Sequence, residues 1–121
     1  MELVVQGLFI AFIVWFVVKR IIPANGVKQI TTEELRKELT RKDVQLVDVR
    51  TQGEFSGRKI KQAKNIPLHE LKGRHNELSK DKEVIVICQS GMRSNKACGT
   101  LKKLGYSNIT NVKGGMSAWR G

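Results

Sequence analysis

Residues 83–94 read EVIVICQSGMRS. Val84-Ile85-Val86-Ile87 is a short apolar, β-branched run without alternation, the pattern of a strand buried on both faces. The run stops at Cys88. Gln89, Ser90, Gly91, Met92 and Arg93 follow, and Ser94 leads into a segment with helical spacing. A strand, a tight Gly-containing turn and a helix start make an anion site. Successive N–H groups of the turn point inward, and the helix N-terminus adds partial positive charge. A cysteine at the mouth of that cup is placed to react as a thiolate. The bland alternative is a structural cysteine closing a strand. The polar loop directly after Cys88 favours the reactive reading.

Outward from this stretch, strands and helices alternate. Val27–Ile30 reads as a brief strand, and Thr31 with Glu34 forms a capping box ahead of a helix carrying Leu35 and Leu39. Gln45–Val49 is a second strand, with Asp48 and Arg50 flanking its end as a candidate rim salt bridge. Thr51–Lys64 is polar and basic, with a short helix around Glu54-Phe55. Ala63–Ile66 is a third strand closed by Pro67. Leu68–Leu78 is predicted as a helix with Leu68, Leu71, His75 and Leu78 on one side. Past Cys88, a helix runs from about Met92 to Leu104 and stops at Gly105. Asn108–Val112 is the fifth strand, and Gly114-Gly115 turn into a last short helix carrying Trp119. This order, with no hairpin signal, predicts an α/β fold: a central parallel five-stranded sheet with helices on both faces. Ligands of such sheets sit at the carboxyl ends of the strands. Cys88 and the Asp48–Arg50 pair end two different strands and so point to one rim.

The 121 residues suffice for one compact domain and a short appendage. Lys and Arg number 22 against 11 acids, a net charge of +11. The excess is uneven: Val84–Gly121 holds no Asp or Glu but six basic residues, so the half carrying Cys88 attracts anions. No basic stripe interleaved with aromatics is present, so nucleic acid is not an expected partner. Cys88 and Cys98 form no CxxC pair and no disulfide scaffold, which fits a reduced compartment. With two histidines and no paired ligand spacing, no metal and no cofactor is expected.

Leu3–Val18 (LVVQGLFIAFIVWFVV) carries no charge, and Ile21-Ile22 extend the apolar character past Lys19-Arg20 to Pro23. Leu3–Ile22 rises about 30 Å as a helix, the thickness of a hydrocarbon core. The expectation is one transmembrane helix over Met1–Ile22, a linker over Pro23–Gly26, and a domain over Val27–Gly121. Trp15 suits the interface, and the basic flank at Lys19, Arg20 and Lys28 places the domain on the cytoplasmic side of a single-pass membrane protein. The lipid bilayer is then a partner. A cleaved signal peptide is disfavoured, because Glu2 stands where a basic region belongs and no Ala-x-Ala follows.

The segment from Val27 to Gly121 resembles a single rhodanese domain. The resemblance rests on four stretches in order: Leu46-Val47-Asp48-Val49-Arg50 with Glu54-Phe55, then Ala63–Leu68, then the Cys-x-x-Gly-x-Arg-Ser loop at Cys88–Ser94, then Gly114–Trp119. It implies a sulfurtransferase whose loop cysteine, Cys88, cycles through a persulfide. Gln89, Ser90, Gly91, Met92, Arg93 and Ser94 would then surround the substrate sulfur. The implied reaction takes sulfur from a small anionic donor such as thiosulfate and gives it to cyanide, a thiol or a protein. One departure stands out: Arg58–Gln62 (RKIKQ) replaces the family's Gly-His-Ile-x-Gly, which bears on acceptor choice. Cysteine phosphatases need one residue more between Cys and Arg, and the smaller cup here suits a single sulfur. The alternative from another class is a tethered binding module, or a sulfur carrier without efficient small-molecule turnover.

Overall fold

The computed structural model describes residues 2–21 and 26–121, with only the backbone for Lys19, Arg20 and Ile21. Its elements follow the expected alternation: helix α1 (Glu2–Ile21), β1 (Lys28–Ile30), α2 (Thr32–Glu38), β2 (Val44–Asp48), α3 (Gln52–Gly57), β3 (Ala63–Asn65), α4 (Leu71–Arg74), β4 (Glu83–Ile87), α5 (Met92–Lys103), β5 (Ile109–Val112) and α6 (Gly115–Ala118). The five strands form one sheet in the order β1-β5-β4-β2-β3, and every pairing is parallel. β4 lies at the centre, where its unbroken apolar run belongs. All five of its residues are buried. Burying each Val or Ile there is worth roughly 1.5–3 kcal/mol.

The pleat divides the core. Val47, Val49, Val84, Val86 and Cys88 face one side with Ala97, Cys98 and Leu101 of α5. Leu46, Ile85 and Ile87 face the other with Leu35 of α2 and Met116 of α6. Strand period 2 thus sends neighbours in sequence to opposite layers. Capping boxes start two helices: Thr31 with Glu34 at α2, and Thr51 with Glu54 at α3.

The helix expected over Leu68–Leu78 is broken. A 3-10 turn over Leu68–Glu70 precedes α4, and a second over His75–Glu77 follows it. Gly73 at its centre costs about 1 kcal/mol relative to Ala in a helix interior. Tyr106 Oη also lies 2.6 Å from the His75 carbonyl and 3.1 Å from that of Leu78, so its hydroxyl caps the free carbonyls at the end of this segment. The apolar spacing at 68, 71 and 78 serves 3-10 turns as well as an α-helix.

The membrane reading of the N-terminus is corrected. α1 is a helix with exposed apolar side chains such as Leu3, Leu8, Phe9 and Phe12. Among the described residues, however, no helix is long and apolar enough to cross a membrane. The uncharged run Leu3–Val18 rises only about 24 Å, short of a core of roughly 30 Å. Glu2 bounds it at one end and Lys19-Arg20 at the other. The single-pass placement, the cytoplasmic-face location and the bilayer as partner all rested on that span, and they fall with it. Ile22–Asn25, which include most of the expected linker, lie outside the described residues.

Candidate active site

Cys88 stands immediately beyond the carboxyl end of β4. Val49 N–H donates to the Ile87 carbonyl at 3.0 Å, which fastens the end of β4 to the chain leaving β2. The loop then turns at Gly91, whose φ of +104° lies in the left-handed region that glycine enters without strain. This conformation aims the Gly91 N–H at Cys88 Sγ, 3.0 Å away. Ser94, fully buried in the first turn of α5, places Oγ 3.3 Å from the same sulfur and donates to the Gly91 carbonyl at 3.1 Å. The sulfur therefore meets a main-chain donor, a hydroxyl and the start of a 12-residue helix.

The carbonyl side of the loop is held by α6. Met116 N–H donates to the Cys88 carbonyl at 2.8 Å, and Ser117 N–H to that of Gln89 at 2.9 Å. Contact this close requires glycine at 115. A Cβ there would come within 2.2 Å of the Cys88 carbonyl oxygen, and its φ is +54°.

Three arginines brace the surroundings. Arg93 forks onto Glu54, with Nη1–Oε1 at 2.7 Å and Nη2–Oε2 at 2.9 Å. Its guanidinium, together with the Thr51 N–H, holds the Glu54 carboxyl down at about 2. Arg93 itself is raised, first by Glu54. Arg50 and Asp48, expected at the rim, do pair, at 2.8 Å, but the pair is buried, with side chains 2% and 0% exposed. Arg50 also donates to the carbonyls of Glu54 and Arg58, and its Nη1 lies 3.4 Å from Gln89 Oε1. Arg58 donates to the carbonyls of Met116 and Trp119. The Arg58–Gln62 segment is thereby tied to α6, which holds the loop.

The remaining loop residues divide by role. Gln89 bonds Ser117 Oγ and leans to the flank. Ser90 is exposed, and Met92 is 81% exposed. Cys88 is fully covered, a difference from the open mouth expected from the sequence. Val49, Ala97 and Cys98 pack in the same cluster around it. Cys98 is buried too, and desolvation pushes its thiol up to about 12. Among the described residues, no three of His, Cys, Asp or Glu gather as metal ligands. Sequence reasoning missed Glu54. Its signal was the Thr51-x-x-Glu54 capping spacing, which marks the residue but not its partner 39 positions away.

A family model for the rhodanese-like domain matches residues 31–121. The chain belongs to the rhodanese family. The uncharacterized protein YqhL of Bacillus subtilis is 40% identical to this rhodanese over 120 residues, covering 99% of this chain and 94% of that protein. A sulfurtransferase of Allochromatium vinosum is 39% identical over 94 residues, 77% of this chain and 88% of the relative. Among solved structures, a rhodanese-like domain protein from Staphylococcus aureus superposes with a TM-score of 0.72 at 39% identity, covering 77% of this chain and 91% of that one. Membership with sulfurtransferases among the relatives supports a sulfurtransferase activity in general for this rhodanese.

Proposed function

We propose that this rhodanese moves a sulfane sulfur from an anionic donor such as thiosulfate to a nucleophilic acceptor through a persulfide on Cys88, within a catalytic unit spanning Val27–Gly121. The observation that carries the reading is the convergence of Gly91 N–H and Ser94 Oγ on one sulfur at the head of α5. In the first step the Cys88 thiolate attacks the outer sulfur of thiosulfate. The sulfur–sulfur bond of the donor breaks, and sulfite leaves with its electron pair. The new persulfide sulfur carries negative charge beside the Gly91 N–H and the N-terminus of α5, whose preorganised dipoles cost no reorganisation. In the second step an acceptor thiolate or cyanide attacks that outer sulfur, and Cys88 departs as a thiolate. This is covalent catalysis in two steps. The paired Arg93 and Glu54 tie the first turn of α5, and with it the end of the loop, to α3.

The test is mass spectrometry of the full chain after incubation with thiosulfate. The expected result is the gain of one sulfur on Cys88 and its loss on adding cyanide or a thiol. Cys88→Ser should fold normally and gain nothing. A wild-type chain that gains no sulfur from any sulfane donor sinks the proposal and leaves the binding-module reading.

A further inference from the structure

A groove of about 460 Å³ runs beside the loop, with Val49, Pro67 and Leu68 on an apolar wall and Lys72, Arg93 and Lys96 on a cationic one. Val49, whose N–H bonds the Ile87 carbonyl next to Cys88, and Arg93, in the first turn of α5 after the loop, bring one end of the groove against the loop. Its size falls within the range of ligand sites, roughly 300–1,000 Å³, while thiosulfate or cyanide would fill only a small part. No Asp or Glu lines it. Arg93 is already committed to Glu54 through both guanidinium nitrogens. Lys72, in α4, and Lys96, one turn of α5 beyond Arg93, are exposed, and among the described residues neither forms an ion pair. Two uncommitted cations over an apolar floor suit a molecule with acid groups at one end and a less polar body.

We infer that this groove selects the acceptor: a low-molecular-weight thiol bearing carboxylate or phosphate groups, held by Lys72 and Lys96 while its sulfur reaches the Cys88 persulfide. The inference rests on the sulfur-transfer reading above. The step balances without an outside oxidant. The acceptor thiolate attacks the outer sulfur, the bond between that sulfur and Cys88 Sγ breaks, and the products are an acceptor persulfide anion and the Cys88 thiolate. Lys72 and Lys96 act on binding and not on the reacting atoms, so their effect falls on KM.

The test compares glutathione, a dicarboxylate thiol, with 2-mercaptoethanol, a neutral one, on the persulfide-loaded full chain. The wild type should favour glutathione in kcat/KM. In the double variant K72Q/K96Q the ratio of the two kcat/KM values should fall about five- to tenfold, as expected for two exposed ion pairs. The change should appear in the glutathione KM, and K72R/K96R should restore the ratio. S-methylglutathione cannot accept sulfur and reads the groove alone. It should shift NMR resonances of Leu68, Lys72 and Lys96 in the wild type and not in K72Q/K96Q. A wild type indifferent to acceptor charge, a ratio unchanged in K72Q/K96Q, or S-methylglutathione shifts that are absent or unmoved by the double variant would each overturn the inference. Failure to form the persulfide at all would count against the function proposed above, and the S-methylglutathione result would still decide the groove.

Discussion

Glu54→Gln isolates the contact that ties α3 to α5. Glu54 does two things: its Oε1 accepts from Thr51 N–H and Oγ1 in the capping box, and both oxygens receive the Arg93 fork. Glutamine keeps an oxygen for the cap but brings an NH₂ and no charge to the fork, so the variant reads the ion pair. A fall of the carboxyl from 4.5 to about 2 corresponds to roughly 3 kcal/mol if taken at face value. The side chains are 35% and 37% exposed, so solvent screening reduces this to about 1 kcal/mol. For a domain of this size that is a drop of about 4–8 °C in Tm. The pH dependence gives a sharper signature. The folded-state carboxyl is depressed, so its stabilisation is complete above the unfolded value of 4.5 and is lost as pH falls toward about 2. Urea unfolding of wild type and Glu54→Gln should therefore differ by a constant amount near neutral pH and converge in that acid window. If the pair also steadies the loop in the transition state, sulfur transfer slows by about fivefold for the same 1 kcal/mol. Equal stability near pH 7, or a gap undiminished through the acid window, would refute the reasoning.

Gly115→Ala drives a Cβ against the Cys88 carbonyl in a backbone conformation that strains any side chain, so it should cost more than about 2 kcal/mol in urea unfolding; a loss under about 0.5 kcal/mol would show that α6 is free to retreat. Cys98 should resist iodoacetamide near pH 8 until denaturant is added, because burial holds its thiol up at about 12; peptide mapping that finds it labelled in the native protein would contradict its burial. Asp48→Asn leaves the buried Arg50 guanidinium without its carboxylate and should cost about 3–5 kcal/mol, read by thermal or urea unfolding; a near-neutral result would mean that the Glu54 and Arg58 carbonyls suffice to hold it.

The central strands were legible because their composition leaves no alternative. Val84–Ile87 is β-branched and uninterrupted, and a run of that kind between turn signals fits only a buried strand in an alternating chain. β1 and β3 span three residues each, shorter than the runs that announced them, since each pairs along one side only. Cys88, Gly91 and Ser94 could be placed because the loop is contiguous. Glu54 and Arg58 could not, because their meaning lies in partners 39 and 58 positions away. Local spacing carries no trace of such pairings. The Leu68–Leu78 segment departs for the opposite reason: its apolar spacing is real but does not discriminate between helix types. At the N-terminus the apolar run is plain in the sequence, but the charges at 2, 19 and 20 leave too little uncharged helix between them to cross a membrane.

The cup around Cys88 is set from outside it. A trans peptide is planar, so its C=O and the following N–H point in opposite directions, and no cis bond is present among the described residues. The amides of Met116 and Ser117 draw the carbonyls of Cys88 and Gln89 toward α6. The N–H groups of Gln89 and Ser90, on those same two peptides, must then face the other way. Gly91, by taking a positive φ, adds its own N–H to the sulfur. The two outward carbonyls need donors, and the Gly114-Gly115 turn brings the Met116 and Ser117 amides to them at close range. On this argument the Gly-Gly segment and the cysteine loop form one device although Cys88 and Gly114 are 26 positions apart. Arg58, by holding the Met116 and Trp119 carbonyls, belongs to it as well. A change at Arg58 should accordingly reach the sulfur through α6, without any contact between its side chain and the substrate.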